Sequence, residues 1–529
     1  MSALSLSDLP IELVIHVLCY LPLSDLASCQ LTHSWLCALI RGSILIRFNK
    51  AIQAAGLDAN PHYRRDRSIK DRLGLLARIE RGWWDFNVEF ARKVDVGCVP
   101  SGIYGLTDGM YVISDGEKHA LQFCTLPETA EEETEWHRVE IDSEVIGVGM
   151  ARHEHDLMAV VTSTPEGDTF KIEIKLLEVS SGEPHPCAQY PEFPVTDSPG
   201  LLPEVSVEVV GDNLALVVTN RQHEDRPEDH FYIYEWKTGK LKMRVTAPNG
   251  SYSCMLFLTP DILLLPNAHG NAFEFWEIPT IVLPTNAPKQ PLGTISLPLL
   301  DPGHVISRIS CRCEPNPSVY GTPFSTQSFQ SSPLDAIAMF TIHIQPLNIP
   351  SDISFMIFVH RRSLLRLCPS NTGVILDRSV KTPWMAWGPP VTRCFNMNSL
   401  VTRWTATAAG QRYTMFLAES ASLVYLDFNP VRTRRLRLVR GKKRPTEPHI
   451  IPRESGKVRS WFETKPNTIR HHAFMYPVAS HLPYMVCSLD KAHGYDGVLM
   501  DEQRLIGLKT NEMGKVQDIE ILHLGLTCE

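Results

Sequence analysis

The chain has 529 residues, more than one ordinary hydrophobic core uses, so two or more structural units are expected. Hydrophobic residues make up 43% and charged residues 21%, the balance of a folded globular protein. Net charge is −8, from 51 basic and 59 acidic side chains, which gives no global pull toward nucleic acid.

Residues 10–21, 24–31 and 35–55 carry apolar residues at helical spacing and predict three helices. Pro10 suits a first helical turn, Glu12 suits the positive helix end, Ser24 is a natural N-cap, and Gly56 stands where a helix-ending glycine belongs. NPHYRRDRS is then a polar link, and IKDRLGLLARIERGWW predicts one more amphipathic helix, with Ile69, Leu73, Leu76 and Ile79 on one stripe.

The first helix poses a packing problem. Ile11, Val14, Ile15, Leu18 and Leu21 form one apolar stripe, while Leu13 and Val17 extend the apolar surface onto a different face. A helix apolar all round must be covered all round. A three-helix unit of about forty residues buries too little surface to do this, so the cover comes from an external partner or from the rest of the chain.

After Asp95 the texture changes. GIYGLTDGMYVISDG, DLMAVVTST, FKIEIKLLEVSSGE and DHFYIYEWKTGKLKMRV open a succession of short β-type runs separated by Gly, Pro, Asp and Ser. Such runs with little helix between them predict an all-β sandwich, barrel or propeller. QFCTLPE, LLEVSSGE, IYEWKTGK and FWEIPT each read as an outer strand ending in a turn, at blade-like spacing, which favours the propeller. GVLMDEQRLIGLK reads as a hairpin with a polar tip at 501–503, placed to pair beside the first strands after position 95 and remove a free sheet edge.

Two biased segments interrupt the β region. PETAEEETEW (127–136) and PNPSVYGTPFSTQSFQSSP (315–333) are read as solvated insertions, ahead of a phosphorylated or partner-binding loop at the second. The basic run RTRRLRLVRGKKR (432–444) is read as a strand entering a solvated basic loop, ahead of a localisation or anion-binding patch. Trp236, Trp276, Trp384, Trp387, Trp404 and Trp461 are assigned to core packing rather than recognition.

Thirteen scattered cysteines, an N-terminus without a secretory pattern and no uninterrupted apolar span predict a reduced, soluble protein of cytoplasm or nucleus. No phosphate loop, nucleophile elbow or H-E-x-x-H helix occurs. His153-Glu154-His155 is read as a solvated loop, and neither Cys311 with Cys313 nor His471-His472 makes a supported metal site. No cofactor, metal, nucleic acid or membrane is expected, and the chain is read as non-catalytic.

The opening stretch resembles an F-box, the three-helix motif that docks onto the Skp adaptor of Skp–cullin–F-box ubiquitin ligases. The residues that carry the resemblance are Leu9, Pro10 and Glu12, then Val17, Leu18 and Leu21, then Asp25 and Leu26, and a closing Trp35. Where many members carry Val-Cys-Arg-x-Trp, this chain has Leu31-Thr32-His33-Ser34-Trp35, without the basic residues of that turn. The stretch CQLTHSWLCALIRGSILIRFNKAIQAAGLDAN with DRLGLLARIERGWW is also similar to fungal F-box proteins whose remainder is long and β-rich. The resemblance implies that Leu9, Pro10, Leu13, Val17, Leu18, Leu21, Leu26, Leu31 and Trp35 form the adaptor interface or its supporting core, with Glu12 at the helix N-terminus. It also implies a cullin, reached through the Skp adaptor, and an unidentified protein substrate.

The expected architecture is α+β in two parts: an F-box module at 1–49, a helical linker at 50–94, and an all-β domain at 95–529, most simply a propeller. Its rivals are a propeller scaffold with no ligase role and a propeller-fold enzyme.

Overall fold

A computed structural model of the protein describes residues 6–60, 68–107, 109–219, 228–280, 290–325, 327–349, 352–369, 381–397, 406–417, 422–439, 449–453, 456–490 and 494–524. Four consecutive helices come first: α1 (Ile11–Cys19), α2 (Leu23–Thr32), α3 (Ser34–Gly42) and α4 (Ile44–Ala55). A short strand β1 (Leu57–Ala59), the helix α5 (Ile69–Trp84) and the strand β2 (Val88–Asp95) lead into the β region.

The long third helix predicted at 35–55 divides in two. Ser43 takes an extended conformation after Gly42, and its hydroxyl accepts from the Ile46 N–H to start α4. Pro10 and Pro22 sit just outside α1 and α2 in extended conformations, so Pro10 is not in the first turn and Ser24 is not a cap. Ser24 lies inside α2 and donates to the Asp25 carboxylate. Gly56 ends α4 in the left-handed conformation, as the sequence suggested (φ 69°).

Beyond residue 88 the described strands form seven large sheets, five of four strands, one of five and one of six. Each is an antiparallel meander along most of its length, and they follow one another in chain order as blades. The inner strands are Pro100–Thr107, Glu144–Ala151, Glu204–Val210, Leu256–Thr259, His304–Arg312, Ala408–Ala409 and Gly497–Met500. The fold is a β-propeller. The echoing segments prove to be the third strands of blades one to four (Ala120–Thr125, Thr169–Glu178, Glu228–Glu235 and Ala272–Glu277), one position inside the outermost strand assigned to them.

Packing explains why these strands read as nearly continuous apolar runs. In the second strand of blade two, Leu157, Ala159 and Val161 point into a core shared with blade three, while Met158 and Val160 point into a core shared with blade one. Both faces of a blade are buried, so both phases of the two-residue period must be apolar. Seven such cores, each shared by consecutive blades, run completely around the ring.

Closure uses the two ends of the described chain. β2 pairs antiparallel with the last strand, Val516–Leu524, and completes the seventh blade. The hairpin Gly497–Met500 with Arg504–Thr510 forms the inner half of that blade. The closing partner is therefore the strand just before residue 95, and it joins the last strand rather than the hairpin. The hairpin tip is not solvated either: Asp501 and Gln503 are buried, and Trp83 of α5 donates its indole N–H to the Glu502 carbonyl.

The segment 315–333 is a strap across one mouth of the central channel, which corrects its reading as a solvated insertion. Arg361, fully buried, donates to the carbonyls of Cys313, Pro315 and Pro333 and so holds both ends of the strap. Glu154 accepts from the N–H groups of Val319 and Tyr320, and also of Gly211. His153-Glu154-His155 is thus a helical turn with His153 and Glu154 buried, not a solvated loop. From the other side, β1 pairs with the strap at Phe329–Ser331, and Asn60 donates to the carbonyls of Ser325 and Gln327. Backbone polar groups that enter the ring must find such partners, because burial unpaired is costly.

Two further readings change. The acidic segment 127–136 has no regular structure among its residues but is tied down: Arg92 donates to the Glu132 carbonyl and Trp136 to that of Asp95. The basic run begins as a helix, Pro430–Val439, not a strand, and Arg432 pairs with Asp427 and Glu80. Residues 440–444 and Trp404 lie outside the described residues. Trp236, Trp276, Trp384 and Trp387 are buried in blade cores, and Trp461 is partly buried.

The helices α4 and α5 belong to the ring as much as to the N-terminal unit. Phe48, Ile52, Ala55, Leu75, Leu76, Ile79 and Trp83 are buried in the core shared by blades six and seven. Removal of residues through Gly42 is expected to leave the ring's melting transition in place, whereas removal through Ala55 lowers it by several degrees in a thermal melt, because it strips this core. Trp83→Ala, judged by urea unfolding, is expected to cost about 3–5 kcal/mol.

Acid is expected to act on the closing seam. His523 in the last strand is fully buried and stacks on Phe90 of β2 at 4.9 Å between ring centroids. Burial, with the Arg504 guanidinium nearby, holds its imidazole down to about 4. The folded state keeps this ring neutral while the unfolded chain protonates near 6.5, so its contribution is full above 6.5 and is lost as pH falls from there toward 4. Urea unfolding of His523→Phe at pH 7 and pH 4.5 is expected to show a pH-dependent loss about 2–3 kcal/mol smaller than the unsubstituted chain.

Candidate adaptor-docking surface

The helices α1 to α3, with the first turn of α4, build a small core. Val14, Leu18, Leu26, Ile40 and Ile46 are buried together, with Ile15, Cys19, Leu21, Cys29, Trp35, Leu36 and Leu39 packed partly buried around them. Val14 and Leu18 lie four residues apart on one face of α1, the spacing that lets a helix bury a single stripe. The turn before α3, where the basic residues of the family pattern are missing, is closed by His33, whose Nδ1 accepts from the Trp35 N–H at 3.1 Å.

The rest of α1 is bare. Leu13 (53%), Val17 (54%) and Tyr20 (77%) are exposed at spacings of four and three, which places them on one face, away from the Val14–Leu18 stripe. Leu6, Leu9, Ile11 and, from α2, Leu31 (89%) are exposed as well. Isolated exposed apolar side chains are ordinary, but seven large ones within residues 6–31 form the kind of surface that marks a protein interface.

The candidate residues divide accordingly. Leu9, Pro10, Glu12, Leu13, Val17 and Leu31 are exposed, Leu18 and Leu26 are buried, and Leu21 and Trp35 are half-buried. Ile11, read from sequence as part of the inward stripe, is 47% exposed, and Tyr20 joins the bare face without having been singled out. Its position three residues after Val17 and seven after Leu13 was the available signal.

The channel offers a second concave feature, a cavity of about 240 Å³ beneath the strap. Its charged and polar walls are largely committed to holding the strap. Glu154 takes three backbone N–H groups, Asp501 accepts from Arg504, Glu502 accepts from the Ser331 N–H, and Arg312 reaches across the channel to the Leu106 carbonyl. Buried thiols are pushed up, Cys124 and Cys394 to about 12 and Cys313 to about 11, so they stay protonated. Among the described residues no group of three or more His, Cys, Asp or Glu is placed to hold a metal ion, and no helix is long and apolar enough to cross a membrane.

Comparisons with known proteins give one family match and several likenesses among solved structures. The family model for the F-box domain matches residues 6–45. No curated protein matches the chain. Among solved structures, BamB from Moraxella catarrhalis aligns over 82% of this chain and 98% of its own, at 7% identity and a TM-score of 0.31. The C-terminal WD40 domain of Sif2 aligns over the same shares at 8% identity and 0.32. Sqt1 from Chaetomium thermophilum aligns over 79% and 81% at 10% identity and 0.31. The ring itself is read from the seven sheets and the cores they share. The chain carries an F-box domain at residues 6–45, followed by a β-propeller.

Proposed function

We propose that this protein is a non-catalytic substrate-recognition adaptor of a Skp–cullin–F-box ubiquitin ligase, working in the cytoplasm or nucleus. F-box domains in general serve such ligases, and the observation that carries the reading here is the bare apolar face of α1. Leu9, Pro10, Leu13, Val17 and Leu31 are assigned to contact with the Skp adaptor, and through it to a cullin. Leu18, Leu21, Leu26 and Trp35 support those residues from beneath, and Glu12 stabilises the positive end of α1. The unit at 1–49 docks, the stretch 50–94 connects, and the ring from 95 onward presents an unidentified protein substrate.

The mechanism is positional. A bound substrate held beside a ligase experiences a raised effective concentration of the transferring enzyme, with no bond made or broken by the adaptor. A rigid connection helps. Glu80 of α5 pairs with Arg412 and Arg432, Arg432 pairs in turn with Asp427, and the Arg412 guanidinium lies over the Trp83 ring at 4.6 Å. These contacts support a fixed orientation between docking unit and ring. The scaffold reading, in which the first helices serve only the chain's own β domain, is disfavoured by the uncovered face of α1 and by the small core that α1–α3 share with the first turn of α4 rather than with the ring.

Co-purification of the full chain with the Skp adaptor tests the proposal. The unsubstituted chain should capture the adaptor, and Leu13→Asp/Val17→Asp should reduce capture at least tenfold with an unchanged melting temperature. Leu26→Ala should also reduce capture, but through loss of the small core, with a destabilisation of about 2–5 kcal/mol confined to that unit. Failure of the unsubstituted chain to capture the adaptor would falsify the reading.

A further inference from the structure

A partner can reach the ring from two sides, and one is already occupied. The inner strands end at the mouth covered by the strap, by β1 and by α4 and α5, as the contacts of Asn60, Trp83 and Asn429 with that side record. The inner strands begin, and the second strands turn into the third, at the opposite mouth. There the fifth blade gathers large apolar side chains that are exposed: Leu299 (53%), Val305 (37%), Leu347 (61%), Ile349 (60%), Met475 (44%) and Tyr476 (64%). Backbone bonds tie the segments together, from the Met475 N–H to the Leu299 carbonyl (3.0 Å) and from the Leu347 N–H to the Gly303 carbonyl (2.9 Å). They therefore form one patch.

Beside it lies a buried polar group with no hydrogen-bond partner among the described residues. His304, the first residue of that blade's inner strand, has a side chain only 10% exposed, and neither ring nitrogen finds a hydrogen-bond partner among the described residues. Asp301 approaches its Nδ1 to 3.5 Å, the His472 ring lies 5.3 Å away, and His471 lies 4.1 Å from His472. An imidazole buried without a hydrogen bond is costly, and a bound group able to hydrogen-bond it would recover that cost. With three imidazoles grouped and Asp301 set to one side, a carboxylate is the group that pairs best, since it accepts from neutral or protonated imidazole alike.

We infer that this patch docks an extended segment of a partner protein that carries apolar side chains around an acidic residue, the apolar groups covering Leu299, Leu347 and Tyr476 and the carboxylate bonding His304 and His472. The inference rests on the adaptor reading for its biological meaning, the segment then belonging to the substrate, but the binding itself does not require it.

The test is a displayed library of random dodecapeptides panned on the full chain, with enriched peptides then titrated by fluorescence polarisation. Enriched sequences should hold Asp or Glu among apolar residues, and should lose at least tenfold in affinity for Leu347→Ser/Tyr476→Ser and for His304→Asn. Replacing their acidic residue by Asn or Gln should have a similar effect. Both variants should keep the melting temperature and capture the Skp adaptor as the unsubstituted chain does. No enrichment, or enriched peptides indifferent to the patch variants or to loss of the acid, overturns the inference. An unsubstituted chain that binds the peptides through the patch but captures no Skp adaptor would refute the adaptor reading alone.

Discussion

The ring stands on one pairing, β2 with the last strand. A propeller of twisted blades is stable only when each blade is packed on both faces, and an open ring would leave two faces and two sheet edges exposed to water. By completing the seventh blade, β2 removes that liability and makes the seventh core, between blades seven and one, continuous with the others. It also decides where everything N-terminal must go. A chain that enters the ring through the outer strand of blade seven delivers α5 and α4 to the seam between blades six and seven.

From that entry follow the contacts that join the helical unit to the ring. α5 lays Trp83 against Tyr425 and under Arg412, and the short strand β1 reaches the channel mouth, where it pairs with the strap. The strap in turn is held by Arg361 and Glu154, two buried charged side chains that bond backbone groups. One mouth of the propeller has become a structural joint. The other mouth and the outer face of α1 both carry exposed apolar groups.

Much of this was legible from residue pattern. Alternating apolar runs punctuated by Gly, Pro and Asp announced an all-β region, and their near-continuous apolar character is what blades buried on both faces require. The spacing of QFCTLPE, LLEVSSGE, IYEWKTGK and FWEIPT located four successive blades, though it placed them one strand too far out, because third and fourth strands differ in neighbours rather than in composition. The excess of apolar residues on α1 was likewise visible. Which of them face inward was not: Ile11 fits the buried stripe by spacing, yet lies exposed at the helix start, beyond the reach of the residues packed on Val14 and Leu18.

The larger misreadings share a physical cause. The strap and His153-Glu154-His155 are polar, and polar composition suggests solvent. Both ends of the strap and the side chains of His153 and Glu154 are instead held within the fold, because backbone carbonyl and N–H groups brought in from distant parts of the chain meet buried side chains, as when Arg361 takes the carbonyls of residues 313, 315 and 333. Local pattern determines which segments are strand or helix and which faces are apolar, since both depend on neighbours within a few residues. The closing of the ring and the choice of mouth that stays open depend on partners hundreds of residues apart, and those were set by the packed fold.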